Sequence, residues 1–267
     1  MSIADIKRII NTLPSLPAMP NIVAAALDVI KDPESNASEL GAIITNDQAL
    51  TSQILKVVNS AYYGLSRPIT TVQQSITMVG FNEVRSIIIS SAMKPMLTTQ
   101  GGKELWEHSI KVGIGAEVIA KKLGRRDFDE CFALGLLHDI GKIIFELYNP
   151  KAAFEVKKLI SCGANSYTAE KMLFGFDHTD VGFELAAKWK LPKVIASALK
   201  YHHRPQLSDF PTTVGIVYAA NRIVKDPPKV PVLEPEVARR LDFDIPNPTK
   251  LKQEINEKSA LLIKILN

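Results

Sequence analysis

The chain has 267 residues, 46% of them hydrophobic and 22% charged, enough apolar material for one large or two small cores. Its formal charge is 32 − 28 = +4 with no run of five or six like charges, which excludes the clustered basic footprint of a nucleic-acid-binding protein. Two cysteines, Cys131 and Cys162, in no CxxC, exclude a disulfide scaffold and a thiolate zinc site, and neither an export signal nor an apolar run of about 18 residues is visible. The expectation is a cytoplasmic protein with structural free thiols and no membrane partner.

Apolar residues recur at helical spacing from the start. Ile3, Ile6, Ile10 and Leu13 form a first stripe, with Ser2 and Asp5 placed as a cap and its partner. Pro14, Pro17 and Pro20 then impose an extended segment. A helix from Asn21 ends at Asp32-Pro33, Ser38 caps a short one through Ile44, and Asp47 caps another along Leu50, Ile54, Leu55 and Val58. Thr71 and Gln74 have capping-box spacing ahead of Val72 to Val79, and Asn82 is placed to cap a long apolar helix to about Met96.

Polar, glycine-containing Thr98 to Gly102 is the best internal boundary, dividing a helical lobe at 1–100 from a second at 101–225. In the second lobe the pattern predicts helices at Glu104–Leu123, Asp129–Ile144, Pro150–Ser161, Ser166–Phe174, Val181–Trp189, Pro192–Tyr201 and Thr213–Val224. Period-two alternation is nearly absent, so the fold class is all-α. Residues 226–267 form a strap with six prolines between Asp226 and Pro248, then a last helix with Leu251, Ile255, Leu262 and Leu266 on one face. Trp106, Trp189 and at least one of Tyr62 and Tyr63 are expected in the core. Asn59-Ser60 is expected to close a helix while bonding nearby backbone.

All five histidines, His108, His138, His178, His202 and His203, fall in the second lobe. His138-Asp139 lies inside Leu136-Leu137-His138-Asp139-Ile140-Gly141-Lys142, at the polar break of an apolar helix. Adjacent helical side chains stand about 100° apart, so such a pair reaches one ion or two neighbouring ions from the same turn. Imidazole nitrogen with carboxylate oxygen suits a divalent metal: iron, manganese, nickel or zinc. The alternative is a helix stop at Asp139 and Gly141 with His138 as a hydrogen-bonded core residue. Histidines on separate helices favour the metal, because ligands of helical sites project inward from facing helices.

In this order and these contexts the histidines resemble the HD superfamily of helical metal-dependent phosphohydrolases. Within it the chain is most similar to the HDOD domain, the HD-related output domain of bacterial signalling proteins. The likeness is carried by Leu13-Pro-Ser-Leu-Pro17, Asn46-Asp-Gln-Ala-Leu50, Val58-Asn-Ser-Ala-Tyr-Tyr-Gly64 and Val79-Gly-Phe-Asn-Glu-Val-Arg85. It continues through Glu170 ahead of Gly175-Phe-Asp-His178, Val181-Gly182, Trp189-Lys-Leu-Pro192 and Tyr201-His-His203, covering about residues 13 to 224.

The resemblance implies an all-α fold and a metal set of His108, His138, Asp139, His178, His202 and His203. It places Asn221 where active HD enzymes carry a final Asp. An amide is a neutral, weaker ligand, so two divalent ions would face a single certain carboxylate, Asp139. The Gly-Tyr-Pro element of the related cyclic-dinucleotide phosphodiesterases is missing from Arg204 to Pro211. By resemblance Lys142 meets a substrate phosphate; by itself it reads as a cation at a helix C-terminus. Glu170, Asp177, Asp180 and Asp209 are candidates for the missing carboxylate, but no spacing selects one of them, and each reads first as a solvated surface acid.

Two functions follow. The first is a regulatory output module with a degenerate metal site that acts through contacts with a kinase, a receiver or a cyclic-dinucleotide enzyme. No receiver domain lies within these residues, so input is expected by non-covalent contact. The strap and last helix are candidate contact elements, with packing onto the chain itself as the alternative. The second is a metal-dependent phosphohydrolase acting on a nucleotide or cyclic dinucleotide, with no catalytic residue assigned beyond the metal set and Lys142. A third reading, an iron site sensing redox state or a diatomic gas, is compatible with the same histidines.

Overall fold

The computed structural model describes residues 3–14, 16–28, 44, 47–60, 63–98, 102–125, 128–225, 233–241, 245 and 247–266. Every regular element among them is a helix, as expected. The first group is α1 (Ile3–Thr12), α2 (Asn21–Asp28), α3 (Gln48–Val58), α4 (Val72–Val79) and α5 (Phe81–Leu97). Next come α6 (Lys103–Lys122), α7 (Phe128–Leu137), α8 (Lys142–Tyr148), α9 (Pro150–Ser161) and α10 (Ser166–Phe174). The chain continues with α11 (His178–Lys188), α12 (Lys193–Tyr201) and α13 (Pro211–Lys225), then α14 (Pro235–Leu241) and α15 (Pro248–Leu266). No described helix is long and apolar enough to cross a membrane.

Local chemistry sets the helix ends. The Asp47 carboxylate accepts the Leu50 N–H at 3.0 Å, and Thr71 Oγ1 accepts the Gln74 N–H at 3.1 Å. Gln74 reaches one residue further back than a capping box, taking the Thr70 N–H at 3.0 Å. Asn82 does not cap α5. It lies inside that helix, because Gly80, at φ 96°, both ends α4 and starts α5, a reversal that a side chain would strain. Asn59 does bond nearby backbone: its amide pins the loop by donating to Ile69 O at 2.7 Å and accepting from Ile69 N at 2.6 Å. Ser2, the turn at Asp32-Pro33, the Ser38 cap and Tyr62 lie outside the described residues.

The single helix expected over Asp129–Ile144 is two. α7 stops at Leu137, and His138–Gly141 is a tight turn in which Ile140 N–H bonds to Leu137 O and Lys142 N–H to Asp139 O. The strap carries α14 and buries Leu233, Val237 and Ile245, while 226–232, 242–244 and 246 lie outside the described residues.

α6 is the hub, packed on α7, α13 and α15. Its approach to α7 is set by glycine: a Cβ on Gly135 would lie 2.7 Å from Val112 O and 2.8 Å from Gly113 Cα. That close crossing brings the ring of His108 on α6 within 5.2 Å of the His138 ring at the end of α7. α15 returns onto the core through Leu251, Ile255, Ile263 and Leu266. Its last carbonyls accept from Lys56 (2.9 Å to Ile265 O) and Lys94 (2.6 Å to Leu266 O), cations suited to a helix C-terminus. The apolar face proposed for contacts is therefore occupied by the chain itself. Trp106 is fully buried, and Trp189 is half-buried against the same core.

Candidate metal centre

Four segments deliver the six histidine and aspartate donors expected from the sequence. α6 supplies His108, the turn after α7 supplies His138 and Asp139, α11 begins with His178, and His202 and His203 follow α12. The start of α11 is fixed by a capping box in which Asp177 Oδ1 accepts the N–H groups of Thr179 (2.8 Å) and Asp180 (3.2 Å). His178 is thereby held as the first helical residue.

Asp139 is the centre of the cluster, completely buried, with a different donor group on each oxygen. Oδ1 faces His178 Nε2 at 3.3 Å and His202 Nε2 at 3.5 Å; His178 Nε2 is 3.1 Å from His203 Nε2. Oδ2 faces His138 Nε2 at 3.2 Å, His108 Nε2 at 3.6 Å and the Lys142 ammonium at 2.6 Å. Within each group the ligand atoms all lie within 4.8 Å of one another.

Backbone and carboxylate acceptors on the outer ring nitrogens aim these imidazoles inward. His138 Nδ1 donates to Gly135 O at 2.7 Å, His202 Nδ1 to Ala198 O at 3.1 Å, and His178 Nδ1 to the Glu170 carboxylate at 2.5 Å. Each Nε2 then presents a lone pair to the centre. His108 Nε2, His138 Nε2, Asp139 Oδ1 and Asn221 Oδ1 are buried without a hydrogen-bond partner. Facing lone pairs repel unless a cation lies between them, and the environment resists a proton. Burial pushes His202 down to about 3, and it lowers His203, His138 and His108 as well. Burial alone would raise the Asp139 pKa, but His138, Lys142 and Lys225 outweigh it and hold the carboxyl well below its usual range. A divalent ion fits: ligands at about 2.1 Å from one ion stand about 3.0–3.4 Å apart, close to the spacings on the Oδ1 side.

Several acids and one lysine differ from expectation. Glu170 is not a solvated acid: it is buried, and it binds both the ring and the backbone N–H of His178 (2.9 Å to the latter). Asp177 is buried as the α11 cap, whereas Asp180 is half-buried and Asp209 is exposed. No sequence spacing announces Glu170, because its partner lies one loop further on, and only its place ahead of Gly175-Phe-Asp-His178 marks it. Lys142 sits at the N-terminus of α8 rather than at a helix C-terminus, since the helix expected to continue through it breaks at His138. Its pKa is raised: burial opposes the charge, and Asp139 more than compensates. Asn221, on α13, is buried and lines a cleft with Lys142 and His203. Lys225, on the same helix, lines the cleft too and was not singled out by the sequence.

An all-helical chain with a buried His-Asp pair at a helix break, joined by histidines from three other segments, defines a protein of the HD type. The chain belongs to the HDOD domain family, whose model matches residues 16–205. That match is narrower than the span expected from the motifs and ends before Asn221. Among solved structures, an HDOD domain protein of unknown function from Geobacter sulfurreducens superposes with TM-score 0.83 at 23% identity, covering 99% of this chain and 96% of that one. A candidate phosphohydrolase from Shewanella amazonensis SB2B matches with TM-score 0.76 at 22% identity over 97% and 98% of the two chains. An uncharacterized protein of Treponema pallidum is 24% identical over 199 residues, 73% of this chain but 39% of its own length. The chain thus spans about two fifths of that relative.

Proposed function

We propose that this domain is a regulatory output module of bacterial signal transduction whose His-Asp centre holds a divalent ion and binds an anionic ligand. In this reading it acts through contacts with signalling proteins and without efficient turnover. The observation that carries it is that both donor groups share one carboxylate, Asp139. Glu170 is committed to His178, and the cleft residue Asn221 is neutral. Two divalent ions would bring a charge of +4 against this single carboxylate, so one ion on the Oδ1 side, held by His178, His202, His203 and Asp139, is the favoured occupancy. Mixed nitrogen and oxygen donors suit iron, manganese, nickel or zinc.

When bound, the ion supplies Lewis acidity toward a ligand oxygen. The chain's own residues do the rest. Glu170 fixes the His178 tautomer and orientation, Lys142 balances the charge on Asp139, and Lys142 with Lys225 makes the cleft wall attractive to an anion. The same two lysines favour a second reading, hydrolysis of a phosphate ester.

Metal content by mass spectrometry on untagged protein, beside the His138→Ala, Asp139→Ala double variant, tests the proposal. About one equivalent in the wild type, lost in the variant, with no hydrolysis of cyclic or linear dinucleotides, is expected. No metal in either protein, even after reconstitution with iron, manganese or nickel, overturns it. Hydrolysis that is lost in the double variant installs the second reading.

A further inference from the structure

Away from the His-Asp centre, α3, α5, α6, α7 and α15 meet around a small cavity that shares no residue with the metal cluster or its cleft. Its polar wall carries Ser60, Tyr63, Glu83 and Glu117, and its floor is carbon, from the buried side chains of Ile87, Ile114 and Phe132. The volume, about 70 Å³, exceeds that of one water molecule and is far too small for a nucleotide. Ser60, Tyr63 and Glu83 belong to the segments Val58 to Gly64 and Val79 to Arg85, which carry part of the HDOD likeness yet supply no donor to the metal centre.

Charge in this cavity is unevenly matched. Glu117 is paired with Lys121, and Lys258, which also lines the space, pairs with Glu254 at 3.2 Å. Glu83 has a neutral partner instead, the Tyr63 hydroxyl, which donates to Oε1 at 2.7 Å, and it makes no ion pair among the described residues. A phenol leaves the carboxylate its full charge. Burial raises the Glu117 pKa, Lys121 pulls it back, and Glu83 raises it again, as expected of two carboxylates that face one space. Ser60 Oγ is buried there without a hydrogen-bond partner, a condition that costs free energy until a ligand or water meets it.

We propose that this cavity binds a small molecule bearing a primary ammonium on a short alkyl stem, with the ammonium at Glu83 and Ser60 and the stem over Ile114 and Phe132. A hard divalent ion suits the space poorly, because it takes about six or more oxygen ligands and much of this wall is carbon. An ammonium brings three donors, matching the carboxylates of Glu83 and Glu117 and the Ser60 hydroxyl, while its stem removes apolar floor from water. The site lies outside the metal centre, so it stands whether or not an ion binds there.

Probes that share one stem and differ in the head group test the assignment: n-butylammonium, n-butanol and butyrate. In NMR titrations of the isotopically labelled full chain, n-butylammonium is expected to shift the amide signals of Ser60, Tyr63 and Glu83 saturably, with an affinity about tenfold or more above that of n-butanol. Butyrate should leave these signals in place. Methylammonium, the same head without the stem, should bind about tenfold or more weakly than n-butylammonium. Glu83→Gln keeps an acceptor for Tyr63 and removes the charge, so n-butylammonium should fall to the level of n-butanol. Ser60→Ala, which removes one acceptor, should weaken n-butylammonium severalfold and serves as the test should the first variant not fold. Equal affinity for the three heads, undiminished binding in both variants, or no saturable shift at these signals overturns the proposal.

Discussion

Gly141 is the point at which backbone packing and the metal centre meet. Its backbone is helical, φ −58° and ψ −22°, so alanine meets no conformational penalty there. Space is the obstacle: a Cβ would fall 2.1 Å from His178 O and 2.8 Å from Gly182 N. Reaching an ordinary 3.4 Å contact with that oxygen means parting the His138–Gly141 turn from α11 by 3.4 − 2.1 = 1.3 Å. His178 Nε2 stands 3.3 Å from Asp139 Oδ1, and a ligand set tolerates only about 0.5 Å of displacement. Gly141→Ala should therefore lower stability by about 1–3 kcal/mol, the usual cost of overpacking, and weaken metal binding by about a hundredfold. Gly163→Ala is the control. Gly163 has φ 93° and open space around it, so alanine adds backbone strain of about 1–2 kcal/mol without touching the centre. Urea unfolding of the metal-free proteins reads the first quantity and manganese titration the second. Wild-type metal affinity in Gly141→Ala, whatever its stability, would refute the claim that this close approach positions His178.

Other outcomes follow from the same geometry. In chelator, stability should be level above pH 6.5 and fall as pH drops below it, because the unfolded His202 takes up a proton near 6.5 and the buried one only near 3. The slope for His202 alone is about 1.4 kcal/mol per pH unit; urea midpoints that do not move between pH 7.5 and 5.5 would contradict it. Glu170→Gln keeps an acceptor on His178 but removes its charge, and should weaken metal binding about tenfold while leaving thermal unfolding of the apo form near wild type. Lys142→Met removes the ammonium that neutralises Asp139 through Oδ2, so the carboxylate meets an ion on Oδ1 with its full charge and manganese affinity should rise; a fall would mean that Lys142 organises the site instead. Ile255→Ala should cost about 2–5 kcal/mol, because Ile255 is fully buried with its Cδ1 over Gly115; a loss below about 1 kcal/mol would show that α15 is not docked as described.

Much of the centre was legible in the sequence because its donors are chemically distinctive. Histidines on separate helices beside a His-Asp pair favoured a metal over a core role, the resemblance supplied the set His108, His138, Asp139, His178, His202 and His203, and these side chains do cluster. Helix class was legible too, since apolar spacing records which face is buried. The caps at Asp47 and Thr71 followed from short-range bonds that involve neighbouring residues alone.

What escaped the sequence depends on contacts between segments far apart in the chain. Glu170 looked like any helical acid until the fold set it against His178, and Asp177 like a surface acid until α11 began on it. The apolar pattern ran one helix over Asp129–Ile144, with a stop at Asp139 and Gly141 only as the alternative; the fold stops the helix at Leu137 and seats Gly141 against the backbone of α11, where a side chain would collide. The cleft beside Asp139 is likewise invisible in one dimension, because α6, α8, α9, α10 and α13 each contribute part of a wall. Residue type and spacing determined which atoms can bind a metal and which faces turn inward. Tertiary packing alone decided that a glycine contact holds those atoms about 3 Å apart, with His108, His138, His202 and His203 buried deeply enough to resist a proton.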